Sequence, residues 1–256
     1  MKFFRLLSFS LEKYGLAFSL LAKHHLWIYL LYPLVLNILV FSGGMWLVSG
    51  LAETSLFYIQ DVFGLQNLAS EDANLGHTIL YWLLWFVFKV LYFILFAFLS
   101  GSIILILMSP ALALLSERTE KILTGNDYPF VLTTFLRETY RGILLAIRNT
   151  FFQFAIMFAL FLLGFVPVLG LIIPLALLVV SSYFYGFSFM DYYQERRKLS
   201  ISESVRFMRA NKGLAVGNGL PFALLLLLPF FGSIVASFFA VATTIAGTIA
   251  MHEKLS

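Results

Sequence analysis

Residues 165–174 read FVPVLGLIIP, and residues 227–234 read LLPFFGSI. Each stretch sets a proline three residues before a glycine: Pro167 with Gly170, and Pro229 with Gly232. Each sits at the centre of a long block without Asp, Glu, Lys or Arg, residues 150–190 and 213–251. Proline removes a backbone donor, and glycine admits conformations closed to other residues, so the pair predicts that a helix stops and reverses there. With about six residues given to the turn, each arm has about 17, or about 25 Å of helix. A hydrocarbon core about 30 Å thick needs about 20. The tips are apolar, whereas a turn emerging into water is normally polar. The spacing therefore predicts two helical hairpins that enter the bilayer and turn back within it. Full crossings joined by tight apolar turns are the alternative. Non-helical backbone at that depth must be buried in protein or reached by water. Helix ends stranded there favour an anion at their positive poles.

Working outward, the composition agrees with a membrane location. The chain has 256 residues, 61% hydrophobic and 12% charged, against about 25% charged in an ordinary soluble domain. The apolar blocks exceed what a soluble core helix needs, which predicts an integral membrane protein. Cysteine is absent, so disulfides and thiolate chemistry are excluded. The net charge of +4 comes from basic residues beside apolar blocks, a pattern of membrane orientation rather than of nucleic-acid binding. In the N-terminal MKFFRLLSFSLEKYG, Glu12 and Lys13 interrupt the apolar stretch and no cleavage site follows, which reads as mature sequence.

The pattern predicts one all-α membrane domain over residues 1–256. Residues 1–25, with Lys2, Arg5, Lys13 and Lys23, read as an interfacial helix. Residues 26–51 read as a span, with Pro33 expected to kink it. Residues 52–78 carry Glu53, Asp61, Glu71 and Asp72 but no Lys or Arg, and read as an outer loop. A second span follows at 79–108, then Pro110 and inner amphipathic helices over 109–149, the first closed by Gly125. The first hairpin occupies 150–190. An inner helical segment follows at 191–212, with a Ser200–Glu203 capping box and Gly213 as its C-cap. The second hairpin occupies 213–251. Lys and Arg avoid only the 52–78 loop, so that loop should face out, with both termini cytoplasmic.

An ordered set of motifs now carries a resemblance: YPLVLN (32–37), SPALALLSERTEKILTG (109–125), FVPVLG (165–170), SFMDYY (188–193), VRFMRANK (205–212), LLPFFG (227–232) and VATTIAG (241–247). Together they cover most of residues 20–250, and the chain resembles the CysZ-type sulfate permease family with its etoposide-induced eukaryotic relatives. The resemblance implies a bacterial inner-membrane protein with two long kinked transmembrane helices and two hemi-penetrating helical hairpins. It further implies homo-oligomeric assembly, and sulfate uptake that feeds cysteine synthesis. Family members place a sulfate-binding Gly-hydrophobic-Arg motif before the first long helix. The matching positions here are His25, Leu26 and Trp27, so the arginine is replaced.

Several residues are candidates for an anion site. Lys23, His24 and His25 at the start of the first span read as an oxyanion clamp, or as cations anchoring a helix end at the headgroups. Lys89 lies about 15 Å along its span, a costly depth for a charge, and reads as lining an anion path or as meeting a partner subunit. Arg137, Arg141 and Arg148 fall within about 40° of one another on a helix. That stripe suits anions at an inner mouth, or anionic lipid headgroups. Glu117 and Arg118, with Glu120 and Lys121, read as solvated one-turn pairs or, in the family setting, as the frame of a pore mouth. Asp191 is expected to pair with Arg206 or Arg209. Asn37, Gln153, Asn218, Thr243 and Thr244 are expected to hydrogen-bond between helices, at about 1 kcal/mol each.

Enzyme motifs are missing from the sequence: there is no HExxH and no glycine-rich phosphate loop. The histidines and carboxylates show no metal-ligand spacing, and neither a cofactor nor nucleic acid is implied. Two functions remain: an oligomeric sulfate or oxyanion permease, passive or gradient-coupled, or a non-transporting membrane scaffold of the same fold that has lost the sulfate site.

Overall fold

The computed structural model describes residues 2–63, 75–125, 132–166, 169–228 and 231–255, without the side chains at 94, 95, 97–102, 105, 134, 135, 138, 139 and 169. These residues form helices and no strand: α1 (Lys2–Lys23), α2 (Leu31–Val62), α3 (Leu75–Thr124), α4 (Leu132–Leu163), α5 (Ile173–Arg196), α6 (Ile201–Ala210), α7 (Lys212–Leu226) and α8 (Gly232–Leu255). Short 3₁₀ turns precede α2 (Leu26–Leu30) and α5 (Leu169–Leu171). Among the described residues, five stretches are long and apolar enough to cross a membrane. The protein is an all-α integral membrane protein.

Two compact units are present, one of residues 35–105 and one of residues 1–34 with 106–256. In the smaller unit α2 meets the first part of α3. Ser55 Oγ and Tyr92 Oη are 2.6 Å apart, and a Cβ on Gly44 would lie 2.0 Å from the Phe96 ring. The buried residues of α2, Val48, Ala52 and Leu56, recur every four positions and so share one face. Outside that face the helix is lined with exposed Trp46, Phe57 and Ile38, as expected where lipid is the solvent.

The larger unit is built around its shortest apolar helix. α7 buries residues 213–219, 222 and 223, because three helices close on it. A Cβ on Gly213 would fall 2.2 Å from the Phe3 carbonyl oxygen, and one on Gly217 2.5 Å from that of Leu7, so α1 packs backbone to backbone on that face. On a second face a Cβ on Gly219 would meet the Ser182 carbonyl oxygen at 2.0 Å, and one on Gly186 the Ala215 oxygen at 1.8 Å. This is the close crossing of α5 and α7 that small residues permit between membrane helices. On a third face Asn218 lies against Gly247 of α8. α1 supplies its amphipathic stripe, Leu6, Ser10, Tyr14 and Ala17. Tyr14 donates to the Asn218 carbonyl, and its ring stacks on Phe239 with centroids 5.5 Å apart.

Several boundaries differ from the sequence reading. Helices run past the points where charge begins, because a backbone ladder has no reason to stop at the edge of lipid. α2 continues to Val62, through Glu53 and Asp61, and α3 starts at Leu75, so much of the expected 52–78 loop is helix; Glu71 and Asp72 lie outside the described residues. α3 continues unbroken through Pro110. Pro33 falls in the first turn of α2, where a missing donor costs no bond. Gly125 does close α3, at φ +75°, with its N–H donating to the Lys121 carbonyl at 2.8 Å. Gly213 is not a C-cap: it lies inside α7, and its absent side chain serves the α1 contact. The Ser200–Glu203 capping box is present.

The two Pro-x-x-Gly stretches make parallel turns. Phe165 and Val166 end α4 with bonds to carbonyls three residues back, as Leu227 and Leu228 end α7. The Gly170 N–H donates to Val166 at 2.9 Å, and the Gly232 N–H to Leu228 at 3.0 Å; each acceptor is the residue before the proline. A Cβ on Gly170 would lie 2.9 Å from the Gly164 oxygen, and one on Gly232 2.8 Å from the Leu225 oxygen. Glycine is therefore required by the fold-back. Pro167 and Pro229 lie outside the described residues. The arms are unequal: α5 and α8 have 24 residues each and α7 has 15, in place of about 17 per arm.

Candidate functional site

Three groups of charged side chains gather in the larger unit, and each starts from a helix end. The first is the turn between α1 and α2. α1 ends at Lys23, His25 takes the left-handed conformation with φ 55° and ψ 28°, and Leu26 buries itself as the 3₁₀ turn begins. Lys23, His24 and His25 are exposed, so their side chains face outward. Tyr29, in the same turn, lies within electrostatic reach of Glu117 and Arg118 of α3. The left-handed backbone is the one glycine favours. Trp27 is exposed.

The second group is a set of matched ion pairs at the C-terminal end of α5. Asp191 is buried, and Arg141 of α4 grips it with both terminal nitrogens, at 2.7 and 3.3 Å. Arg141 also donates to the Ser204 hydroxyl at 2.7 Å and the Leu199 carbonyl at 3.0 Å, and lies 3.6 Å from Glu195. The expected pairing of Asp191 with Arg206 or Arg209 is thus replaced. α5 continues to Arg196, which sets Asp191 against α4. One turn on, Arg196 Nε donates to buried Glu120 at 2.9 Å and its Nη2 to Ser116 at 2.9 Å. Ser116 in turn lies 2.7 Å from Thr248 of α8. Arg197 reaches Glu120 at 3.6 Å and donates to the Tyr193 hydroxyl, which is 3.3 Å from His252 Nδ1. This network ties α3, α5 and α8 together. Buried charges stay ionised only when paired in this way.

The third group is a groove of about 850 Å³ between α4 and α6, lined by Arg148, Arg206, Arg209, Ser202, Ile201 and Val205 among others. It holds three guanidinium groups, and no carboxylate is among its lining residues. Arg148 and Arg209 stand at mutually repulsive range.

The remaining sequence-derived candidates are scattered. Arg137 is exposed on α4. Lys89 belongs to the smaller unit, where its ammonium lies 4.0 Å over the Trp85 ring. Thr243 and Thr244 donate to carbonyls of their own helix, at 3.0 and 2.8 Å, but Thr243 also accepts from the Tyr14 hydroxyl of α1 at 3.2 Å, and Gln153 of α4 hydrogen-bonds Tyr185 of α5, so Thr243 and Gln153 bridge helices as expected. The buried amide of Asn218 has no hydrogen-bond partner in the structure. Among the described residues no three His, Asp or Glu side chains are grouped to hold a metal. Sequence reasoning missed Arg196, Arg197 and Tyr193 as network members. The signal was their spacing from Asp191 at the end of one helix, which the basic run 196–198 concealed by resembling a solvated loop.

A family model described as Sulfate transporter CysZ/Etoposide-induced protein 2.4 matches residues 14–237. The match takes in the last ten residues of α1, all of α2 to α7 and the start of α8, and with them every charged side chain of the three groups above except His252. The helical membrane architecture agrees with it, and the chain belongs to the family of the sulfate transporter CysZ and etoposide-induced protein 2.4.

Proposed function

We propose that the protein is an oligomeric sulfate or oxyanion permease of the inner membrane, passive or gradient-coupled, with cytoplasmic termini. The observation that carries this reading is the α1–α2 turn. His25 holds a left-handed backbone at the position that the resemblance matches to the glycine of the sulfate motif, which supports that one match. Lys23, His24 and His25 lie exposed around that turn and supply hydrogen-bond donors in place of the absent arginine. Arg118 is within electrostatic reach of the same turn through Tyr29. The matched pairs of Arg141 and Arg196 stiffen the helix bundle behind it, with Arg141 committed to carboxylates rather than to a transported anion.

The route runs beside hairpins that turn back within the bilayer. α7 supports this reading: at 15 residues it is about 22 Å long, short of a hydrocarbon core about 30 Å thick. Each hairpin tip is apolar from its proline to its glycine.

Radiolabelled sulfate uptake into proteoliposomes tests the proposal. Saturable uptake without nucleotide is expected, reduced about tenfold or more in Lys23→Gln/His24→Gln, since charge-assisted bonds of about 1.5–3 kcal/mol are removed. A second reading is favoured by exposed Trp27 at the arginine position: a non-transporting scaffold of the same fold. No flux above empty vesicles, together with no stabilisation of the protein by sulfate, would overturn the permease and leave the scaffold.

A further inference from the structure

The groove between α4 and α6 differs from the other charged groups in having a surplus of one sign. Arg141 and Arg148 lie two turns apart on α4, on the face that buries Leu145. Arg141 faces Asp191 and Glu195. Arg148 faces Arg209 instead. On α6, Ser202, Arg206 and Arg209 follow at spacings of four and three and form one exposed stripe. Glu203, the acidic residue of that helix, closes the capping box, where its carboxylate accepts from the Ser200 N–H at 2.8 Å and the Ser200 hydroxyl at 2.7 Å; it also lies within electrostatic reach of Arg206, one carboxylate against three guanidinium groups. Buried Asn149 accepts from Arg148 at 3.0 Å, and the guanidinium lies 4.9 Å over the Phe152 ring. Arg148 is thus held in place rather than free to sweep solvent.

Position decides what such a groove suits. Arg148 is the last charged residue of α4; beyond it the helix shows only apolar and uncharged residues, with Phe151, Phe154, Phe158 and Phe161 exposed. Ile201 and Val205 form an apolar wall beside the arginines. Cations at the edge of a lipid-facing apolar surface, with apolar walls between them, match a phosphate that carries acyl chains. A free oxyanion would gain nothing from Ile201, Val205 or the phenylalanine face.

We propose that this groove binds the phosphate headgroup of an anionic phospholipid, with Arg148, Arg206 and Arg209 around the phosphate and the acyl chains along α4. Bound lipid relieves the repulsion between Arg148 and Arg209 and braces α6 against α4.

The test uses the full chain in discs of phosphatidylcholine with a minor fraction of phosphatidylglycerol, read by native mass spectrometry of co-purified lipid and by thermal unfolding. Wild-type protein is expected to enrich phosphatidylglycerol and to be stabilised by it. Arg206→Gln/Arg209→Gln, at two exposed positions, is expected to lose that enrichment by about fivefold or more. Lys2→Gln/Arg5→Gln removes the same charge from exposed positions on α1 and is expected to retain it. Unchanged enrichment in the α6 variant overturns the proposal, as does equal loss in the α1 variant, which would reduce the effect to general surface charge. Equal stabilisation by millimolar inorganic phosphate or sulfate in detergent would assign the groove to free oxyanions and likewise overturn it.

Discussion

Arg141 and Arg148 share a face of one helix, yet one is neutralised inside the protein and the other stands among like charges. What separates them is the partner helix: α5 ends in carboxylates opposite Arg141, whereas α6 offers arginines opposite Arg148. Removing one side of a buried pair such as Arg141–Asp191 leaves a charge without compensation, which is costlier than removing both. Glu203 shows the exposed counterpart. Its bonds to the Ser200 hydroxyl and N–H hold its carboxyl below the ordinary 4.5. A depressed folded-state value means that the cap stabilises α6 above the unfolded value and loses that contribution as the pH falls through the folded one. Acid titration followed by hydrogen exchange on residues 201–210 is expected to show early opening of α6 in acid. Ser200→Ala should already exchange faster at neutral pH and show a weaker acid response; an unchanged profile would exclude the cap as the cause.

At the scale of elements, glycines set how closely α7 is gripped. A methyl at Gly219 would stand 2.0 Å from the Ser182 oxygen and 2.5 Å from the Gly186 nitrogen, both backbone atoms that cannot rotate away. Gly219→Ala is therefore expected to cost about 1–3 kcal/mol or more by forcing α5 and α7 apart. Gly50→Ala has open space around the new methyl and is expected to be neutral, or stabilising by up to about 1 kcal/mol through helix propensity. Thermal unfolding of both in the same detergent makes the comparison; equal midpoints would show that the crossing is not tight. These contacts were not legible in the sequence. A glycine at 213 directly after a basic helix looks like a terminator, and only the helix arriving from residues 2–23 makes it a packing site. The hairpin turns were legible, because proline and glycine act locally and the chain around them is uniformly apolar. Helix ends were misread by as many as eleven residues at α2 (51 against 62), since charge marks where lipid ends and not where hydrogen bonding does.

Across the whole molecule, membrane residence follows from composition alone, while the depth reached by each hairpin is a proposal with a direct test. The chain has no cysteine, so Leu171→Cys and Phe231→Cys each introduce a single thiol at an exposed tip position. Re-entrant hairpins predict that neither is modified by a membrane-impermeant maleimide added outside intact cells. Rapid modification at either would show a full crossing. The exposed run Lys23-His24-His25 could be placed at a helix boundary from the sequence, but the sorting of arginines into paired and unpaired could not, since it depends on which helices meet.

The grip of α1 on α7 and α8 has an implication for biogenesis. Phe3, Leu7 and Tyr14 are made about two hundred residues before Gly213, Gly217 and Asn218, which they pack against. α1 must therefore wait for α7 and α8, and its docking is the step that closes the nascent bundle. A ribosome stalled after α6 would hold a chain whose α1 is still open to protease.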